Sequence, residues 1–361
     1  MYKKIKLFDP IIDEEEEQAI INVLKSGFWA SGAGGGNVLK FEQEFRKYVN
    51  SDDCVAVNSG TAALNLALSL LDCKDKEVVL PSLSFVSTAH AVVINGAKPV
   101  FVDIDTKTLC IDINKIKKSI TKKTAAILPV HFAGMPCNLK EIIDFCNENK
   151  LALIEDAAHA TGAKLDKKKI GSHGMAVCFS FHPVKNLAMP TGGLISINDH
   201  NHKNMRKILL ARRWCGITNR KDSEYDVKEI SNNYYMNEFS AAVGLVQLRK
   251  LNRLNKIRRD IAKLYSKNIN TEHKMPFNSD CSYHFYWILV KNRNKFRKRM
   301  LENGIETGIH YRPIHSFNCY KSKNNLPITE KVGKEIVTIP THPNLTKDNL
   351  EKIINLTNKF L

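Results

Sequence analysis

Seven short apolar runs, at residues 55–57, 77–80, 100–103, 125–130, 151–154, 177–181 and 194–197, alternate with helical stretches across the first half of the chain. That rhythm commits the chain to an α/β fold, because parallel strands need a crossover between them and a helix supplies it. The expected fold class is α/β: a large domain with a mostly parallel sheet flanked by helices. Open sheets of this kind collect ligands outside the carboxyl ends of their strands. Several runs end there in polar or small residues, namely Asn58-Ser59-Gly60-Thr61, Glu155-Asp156 and His182.

The pattern changes at Glu238. Phe239, Val243, Val246, Leu251, Leu254, Ile257, Ile261 and Leu264 then recur at helical spacing, while Arg249, Lys250, Arg253, Lys256, Arg258 and Arg259 fill the other face. A long helix is therefore expected to open a smaller α+β C-terminal domain, with strand-like pieces at 286–290 and 308–311. The expected division is an N-terminal helical segment over 1–28, carrying one helix near 14–25, a large ligand-binding domain over 29–238 and the small domain over 239–361.

Composition narrows the function. Lys+Arg number 54 against 37 Asp+Glu, a net charge of +17. The lysines are dispersed in doublets and triplets without interleaved aromatics, which reads as a solvated surface and excludes a nucleic-acid face, while the positive field suits a nucleotide diphosphate. Nine cysteines show no C-x-x-C pair and no metal-ligand spacing, so reduced, buried thiols are expected and no metal. No apolar run reaches the length of a membrane span, and an acidic run follows the first residues where a signal core would stand. A cytoplasmic protein without membrane contact is expected.

Three elements suggest chemistry. Lys185 follows the run at 177–181 by a few residues, in a turn that Pro183 makes irregular, and can point at a bound group from a fixed place. Asp156 ends another run, where a carboxylate can pair with a protonated ring nitrogen or cap the next helix. Ser59-Gly60-Thr61 leads from a strand into an apolar helix whose free N–H groups make an anion site, with Ser180 within possible reach. The glycine-rich stretch from Ser31 to Asn37 follows no strand and opens no dinucleotide-binding unit, so a flexible substrate loop is expected there.

Taken together, these residues resemble the DegT-type nucleotide-sugar aminotransferases, pyridoxal 5′-phosphate (PLP) enzymes of the aspartate-aminotransferase fold. Blocks in family order run from Trp29 to about Pro343. They are Phe41-Glu42, Ser59-Gly60-Thr61-Ala62-Ala63-Leu64, the segment from Pro81 to Phe85, Gly96-Ala97 to Asp105, Val130-His131 with Gly134, Glu155-Asp156 with His159, Phe179-Ser180-Phe181-His182 with Lys185, and Ala241-Ala242 with Gln247-Leu248.

The resemblance implies a set of roles. Lys185 would hold PLP as a Schiff base and act as the catalytic proton shuttle. Asp156 would pair with the pyridine nitrogen, His159 would sit by the phenolic oxygen, and Phe85 would stack on the ring. Thr61, Ala62 and Ser180 would cradle the phosphate, and Asn233 would reach the phosphate of a neighbouring subunit, making the active unit a homodimer with shared sites. The segment carrying His310, Tyr311, Arg312 and His315 would approach the sugar, with Arg312 meeting the diphosphate. The implied reaction moves an amino group from an amino acid, L-glutamate, to a keto sugar nucleotide through pyridoxamine phosphate, leaving 2-oxoglutarate. Ser180 to Asn186 and Ile309 to His315 look more like members acting at C4 of a 4-keto-6-deoxy sugar.

Three positions depart from the family pattern. Met189-Pro190-Thr191 replaces a loop that commonly carries a glutamate, Tyr235 stands where an arginine is usual, and the Ser31–Asn37 stretch is richer in glycine. Two rival readings are a PLP-dependent sugar dehydratase, which would carry a histidine at position 185, and a catalytically idle regulatory protein of the same fold. Lys185 argues against the first, and the intact Lys185, Asp156 and His159 set argues against the second.

Overall fold

A computed structural model describes residues 4–320 and 325–361. Its centre is a seven-stranded sheet built from β1 (Asp53–Val57), β2 (Glu77–Pro81), β3 (Lys98–Val102), β4 (Thr124–Ile127), β5 (Ala152–Asp156), β6 (Ala176–Ser180) and β7 (Gly193–Ile197). The spatial order is β1-β7-β6-β5-β4-β2-β3. β7 runs antiparallel to both its neighbours, and the other pairings are parallel. The mostly parallel sheet flanked by helices is thus as the sequence leads one to expect. The one reversed strand matters for the site: it brings the start of β7 to the edge where the other six strands end.

Local chemistry sets the strand ends. The run at 125–130 gives a strand only to Ile127, because Pro129 has no N–H to continue the ladder. After β1, Ser59 adopts an extended conformation and its hydroxyl accepts from the Ala62 amide, capping the helix Gly60–Ser69. That helix is buried on almost every side, which suits its largely Ala and Leu sequence. A Cβ on Gly60 would come within 2.7 Å of the Ser180 side chain, so glycine lets the helix start lie against the end of β6.

The helix Glu14–Ser26 begins with a capping box between Asp13 and Glu16 and ends on Gly27 at φ 67°. It docks on the long helix Glu238–Asn268, which is continuous over 31 residues. Two of the cations placed on the solvated face of that helix by periodicity are in fact buried. Lys250 is held by Asp13 at 2.6 Å and Glu16 at 2.9 Å, and Arg258 donates to the Thr341 carbonyl at 2.9 Å. Partners distant in sequence cover that face, which one helix's periodicity cannot reveal. The strand expected at 308–311 is also absent. Only Gly308 bridges to Thr338 in the ladder formed by Tyr286–Leu289 and Ile336–Ile339, and the chain then turns away toward the sheet.

The glycine-rich stretch is packed, which corrects the flexible loop expected of it. A Cβ on Gly32 would strike the Trp214 ring and one on Gly34 the guanidinium of Arg213, while the amides of Asn37 and Val38 donate to Glu238. Arg213 itself is fully buried, bonded to Glu42 at 2.6 Å and to the carbonyls of Ala33 and Ala56. Gly34 has φ +72°, so Gly34→Ala combines backbone strain with a clash against the Arg213 guanidinium, which Glu42, Ala33 and Ala56 hold. We expect a loss of about 2 kcal/mol or more, read as a lower urea midpoint at unchanged slope. A midpoint equal to wild type would show that the loop yields freely.

Candidate active site

The ends of β1, β2, β4, β5 and β6 and the start of β7 enclose a cavity of about 350 Å³, with His310 and Tyr311 closing one side. This is the size of a small-molecule site. Asp156 closes β5 at its floor and is 5% exposed. One carboxylate oxygen accepts from the Thr88 hydroxyl at 2.8 Å and the other from the Ala158 amide at 3.1 Å. Burial pushes this carboxyl above its usual range, against the opposing pull of those two hydrogen bonds and of the charges on Lys185 and His131.

Lys185 sits in the turn after β6, where its amide donates to the His182 carbonyl at 2.8 Å, and its side chain lines the cavity. Desolvation brings its ammonium down to about 8, although the Asp156 charge acts in the opposite sense. An amine so placed is partly neutral near physiological pH and can serve as nucleophile or base.

His159 lines the same cavity. Its Nε2 lies 2.9 Å from the Tyr311 hydroxyl, its ring stacks on His284 at 4.7 Å, and its Nδ1 is buried with no partner among the described residues. Burial, reinforced by the Lys185 and His310 charges, keeps its pKa well below the usual value, so the ring is neutral. His310 bonds Thr338 at 2.8 Å, stacks on Phe285, and is brought down to about 3, chiefly by burial.

At the anion end, Gly60, Thr61 and Ser180 line the cavity, and the hydroxyls of Thr61 and Ser180 make no hydrogen bond among the described residues. Phe85 is 56% exposed at the mouth, tilted against Tyr311 with ring centroids 6.1 Å apart. Four residues singled out by sequence lie elsewhere. The Ala62 amide is taken by the Ser59 cap. Asn233 is exposed outside the cavity, its carbonyl accepting from Asn58. Arg312 bonds Ser316 and stacks on Phe317. His315 is buried against Ser82, with Nδ1 to Oγ at 2.7 Å. Sequence reasoning missed Thr88, which orients Asp156, and His284, which supports His159; neither lies in a motif.

The pocket has an acid at its floor, a partly neutral lysine and an anion cradle, and the chain that builds it matches the model of the DegT/DnrJ/EryC1/StrS aminotransferase family over residues 10–357. The chain belongs to that family. It is an aminotransferase, and its cofactor is PLP. GDP-perosamine synthase of Escherichia coli O157:H7 is 31% identical, with 99% of each chain covered. The dTDP-4-dehydro-2,3,6-trideoxy-D-glucose 4-aminotransferase of Saccharopolyspora spinosa is 33% identical over 94% of this chain and 92% of that one. Among solved structures, the PLP-form of Spr1654 from Streptococcus pneumoniae superposes with a TM-score of 0.93 at 26% identity, covering 99% of this chain and all 100% of that one.

The residues present fit the cofactor. A buried carboxylate, a buried imidazole nitrogen lacking a partner, and unpaired hydroxyls at a helix N-terminus are what a ring nitrogen, a phenolic oxygen and a phosphate would require. No helix among the described residues is long and apolar enough to cross a membrane, and no metal-holding group is found among them.

Proposed function

We propose that this enzyme transfers the amino group of L-glutamate to C4 of a 4-keto-6-deoxy sugar carried on a nucleotide diphosphate, as a homodimer with shared sites. The observation that carries the reading is the meeting of Lys185 and Asp156 in one cavity with an anion cradle at its edge. The acceptor class is supported by the two relatives, one named for perosamine and the other for a 4-dehydro sugar on dTDP.

When bound, PLP supplies an electron sink that lets an amino group leave one carbon and join another. Lys185 would hold it covalently and, once displaced by the donor, use the freed Nζ to carry the proton taken from the donor's Cα. Asp156 would keep the ring nitrogen protonated, its negative charge favouring the cation beside it. Neutral His159 would bond the phenolic oxygen. Gly60, Thr61 and Ser180 would hold the phosphate, with the Thr61 and Ser180 hydroxyls free of other partners among the described residues, and Phe85 would cover one ring face. His310 and Tyr311 would meet the sugar. Since Lys185 carries the proton in both directions, no separate strong base is required.

The substrate reading is tested by offering matched 3-keto and 4-keto-6-deoxy sugars on dTDP, UDP and GDP with glutamate, and locating the new C–N bond by NMR. Amination at C4 is expected. Amination of the 3-keto series alone would overturn the regiochemistry and leave the family assignment intact.

Shared sites make a separate prediction. Mixing inactive Lys185→Ala and inactive Asn233→Ala subunits should restore roughly a quarter of wild-type activity at random assortment, because half the dimers are hybrids and each hybrid holds one intact site of two. Demonstrably mixed dimers without activity would place Asn233 outside the partner's site.

A further inference from the structure

We infer that Tyr311 and His284 are positioning residues for His159: Tyr311 fixes its proton on Nδ1, and His284 fixes the plane of its ring. For turnover alone the inference rests on His159 lying beside the cofactor; the tautomer and the ring plane are properties of the chain itself.

A neutral imidazole offers one donor nitrogen and one acceptor, and the partner of one nitrogen decides which is which. The Tyr311 hydroxyl is the partner of Nε2 at 2.9 Å and has no other hydrogen bond among the described residues. If Nε2 carried the proton, both the phenol O–H and the bare Nδ1 would be left without partners. If the phenol donates to Nε2, only the Nδ1–H is left. The second arrangement pairs the stronger donor with the stronger acceptor and leaves fewer buried groups unsatisfied. Burial holds the phenol in its protonated form and the ring in its neutral form, as this arrangement needs. The remaining Nδ1–H is then a donor awaiting an acceptor on a bound molecule.

The plane is set from behind. His284 stacks on His159 at 4.7 Å and 28°, and Phe8, from the N-terminal segment, stacks in turn on His284 at 5.2 Å and 18°. The strip carrying His284 is anchored at both sides of the site: the Ser282 hydroxyl donates to the His159 carbonyl at 2.9 Å, and the Asn186 side chain, next to Lys185, donates to the Ser282 carbonyl at 2.8 Å. His284 also donates its amide to Ala133 at 2.9 Å. The stack is therefore a fixed wall against which a small ring can be held flat.

Long-range proton–nitrogen NMR of cofactor-free enzyme carrying 15N-histidine reads the tautomer directly, with His159→Gln used to assign the signal. Wild type is expected to show the Nδ1–H form, and Tyr311→Phe a mixture or the Nε2–H form. His284→Phe, which keeps a flat ring, should leave the His159 signal sharp, while His284→Leu should broaden it at retained Nδ1–H. With PLP bound and no sugar present, Tyr311→Phe should lower the single-turnover rate of the glutamate half-reaction about fivefold to tenfold, the scale of one hydrogen bond, with the half-saturating glutamate concentration unchanged. An Nε2–H wild type, or an unaltered tautomer in Tyr311→Phe, would overturn the role of Tyr311, and identical Phe and Leu variants would overturn that of His284. A changed tautomer with an unchanged glutamate half-reaction would support the clamp and count instead against His159 as the cofactor's neighbour.

Discussion

Lys185→Ala is expected to lower transamination by about 10⁴-fold or more while leaving the fold intact, because one side chain would serve as covalent anchor and proton carrier together. Its amine lines the cavity rather than the core, so its removal opens space without breaking any side-chain hydrogen bond among the described residues. Borohydride reduction of the wild type, followed by peptide mapping, should find the pyridoxyl group on the peptide containing Lys185; any other lysine carrying it would refute the assignment. The pH dependence follows from desolvation. With the ammonium at about 8, roughly a tenth of the amine is neutral at pH 7 and most of it above pH 9. Covalent uptake of PLP by cofactor-free enzyme needs the neutral amine, so its rate should rise with pH and level off through a midpoint near 8. A midpoint above 10, that of an ordinary lysine, would mean that the cavity does not desolvate Nζ.

Asp156→Asn should lower the rate of the glutamate half-reaction by roughly 10²–10³-fold while PLP still binds, since the phosphate cradle is separate from the carboxylate. The amide can keep the Thr88 contact yet cannot hold a negative charge against the ring nitrogen. A second consequence has a definite sign: the Asp156 charge raises the Lys185 pKa, so its removal should move the PLP-uptake midpoint below that of the wild type. Single-turnover bleaching by glutamate at the wild-type rate would contradict the role of Asp156.

The sheet and the residues at its edge are legible in the sequence for a common reason. Strand period and strand-end polarity are local, so Asp156, Ser59-Gly60-Thr61 and Lys185 could be placed at carboxyl ends from patterns a few residues long. Long-range partnership is what the sequence hides. Arg258 and Lys250 look solvent-facing by helical period and are buried because Thr341 and the helix Glu14–Ser26 cover them. The glycines between Ser31 and Asn37 suggest mobility, but Gly32 and Gly34 are needed because Trp214 and Arg213 occupy the space a Cβ would take. Arg312 and His315 share a motif with His310 and Tyr311, yet Arg312 is turned onto Ser316 and His315 onto Ser82, so only the first pair lines the cavity. His284 carries no motif at all, and its place against His159 emerges only from the fold.

The central claim is that one PLP, held by Lys185, takes an amino group from glutamate and gives it to a nucleotide-linked keto sugar. The visible absorption of the purified, PLP-loaded enzyme tests it in a single cuvette. The yellow band should bleach on adding glutamate and return on adding a 4-keto-6-deoxy sugar nucleotide, in an amount stoichiometric with active sites. A band that glutamate and other amino acids leave unchanged, or one that bleaches and is never restored by any keto sugar nucleotide, would contradict it.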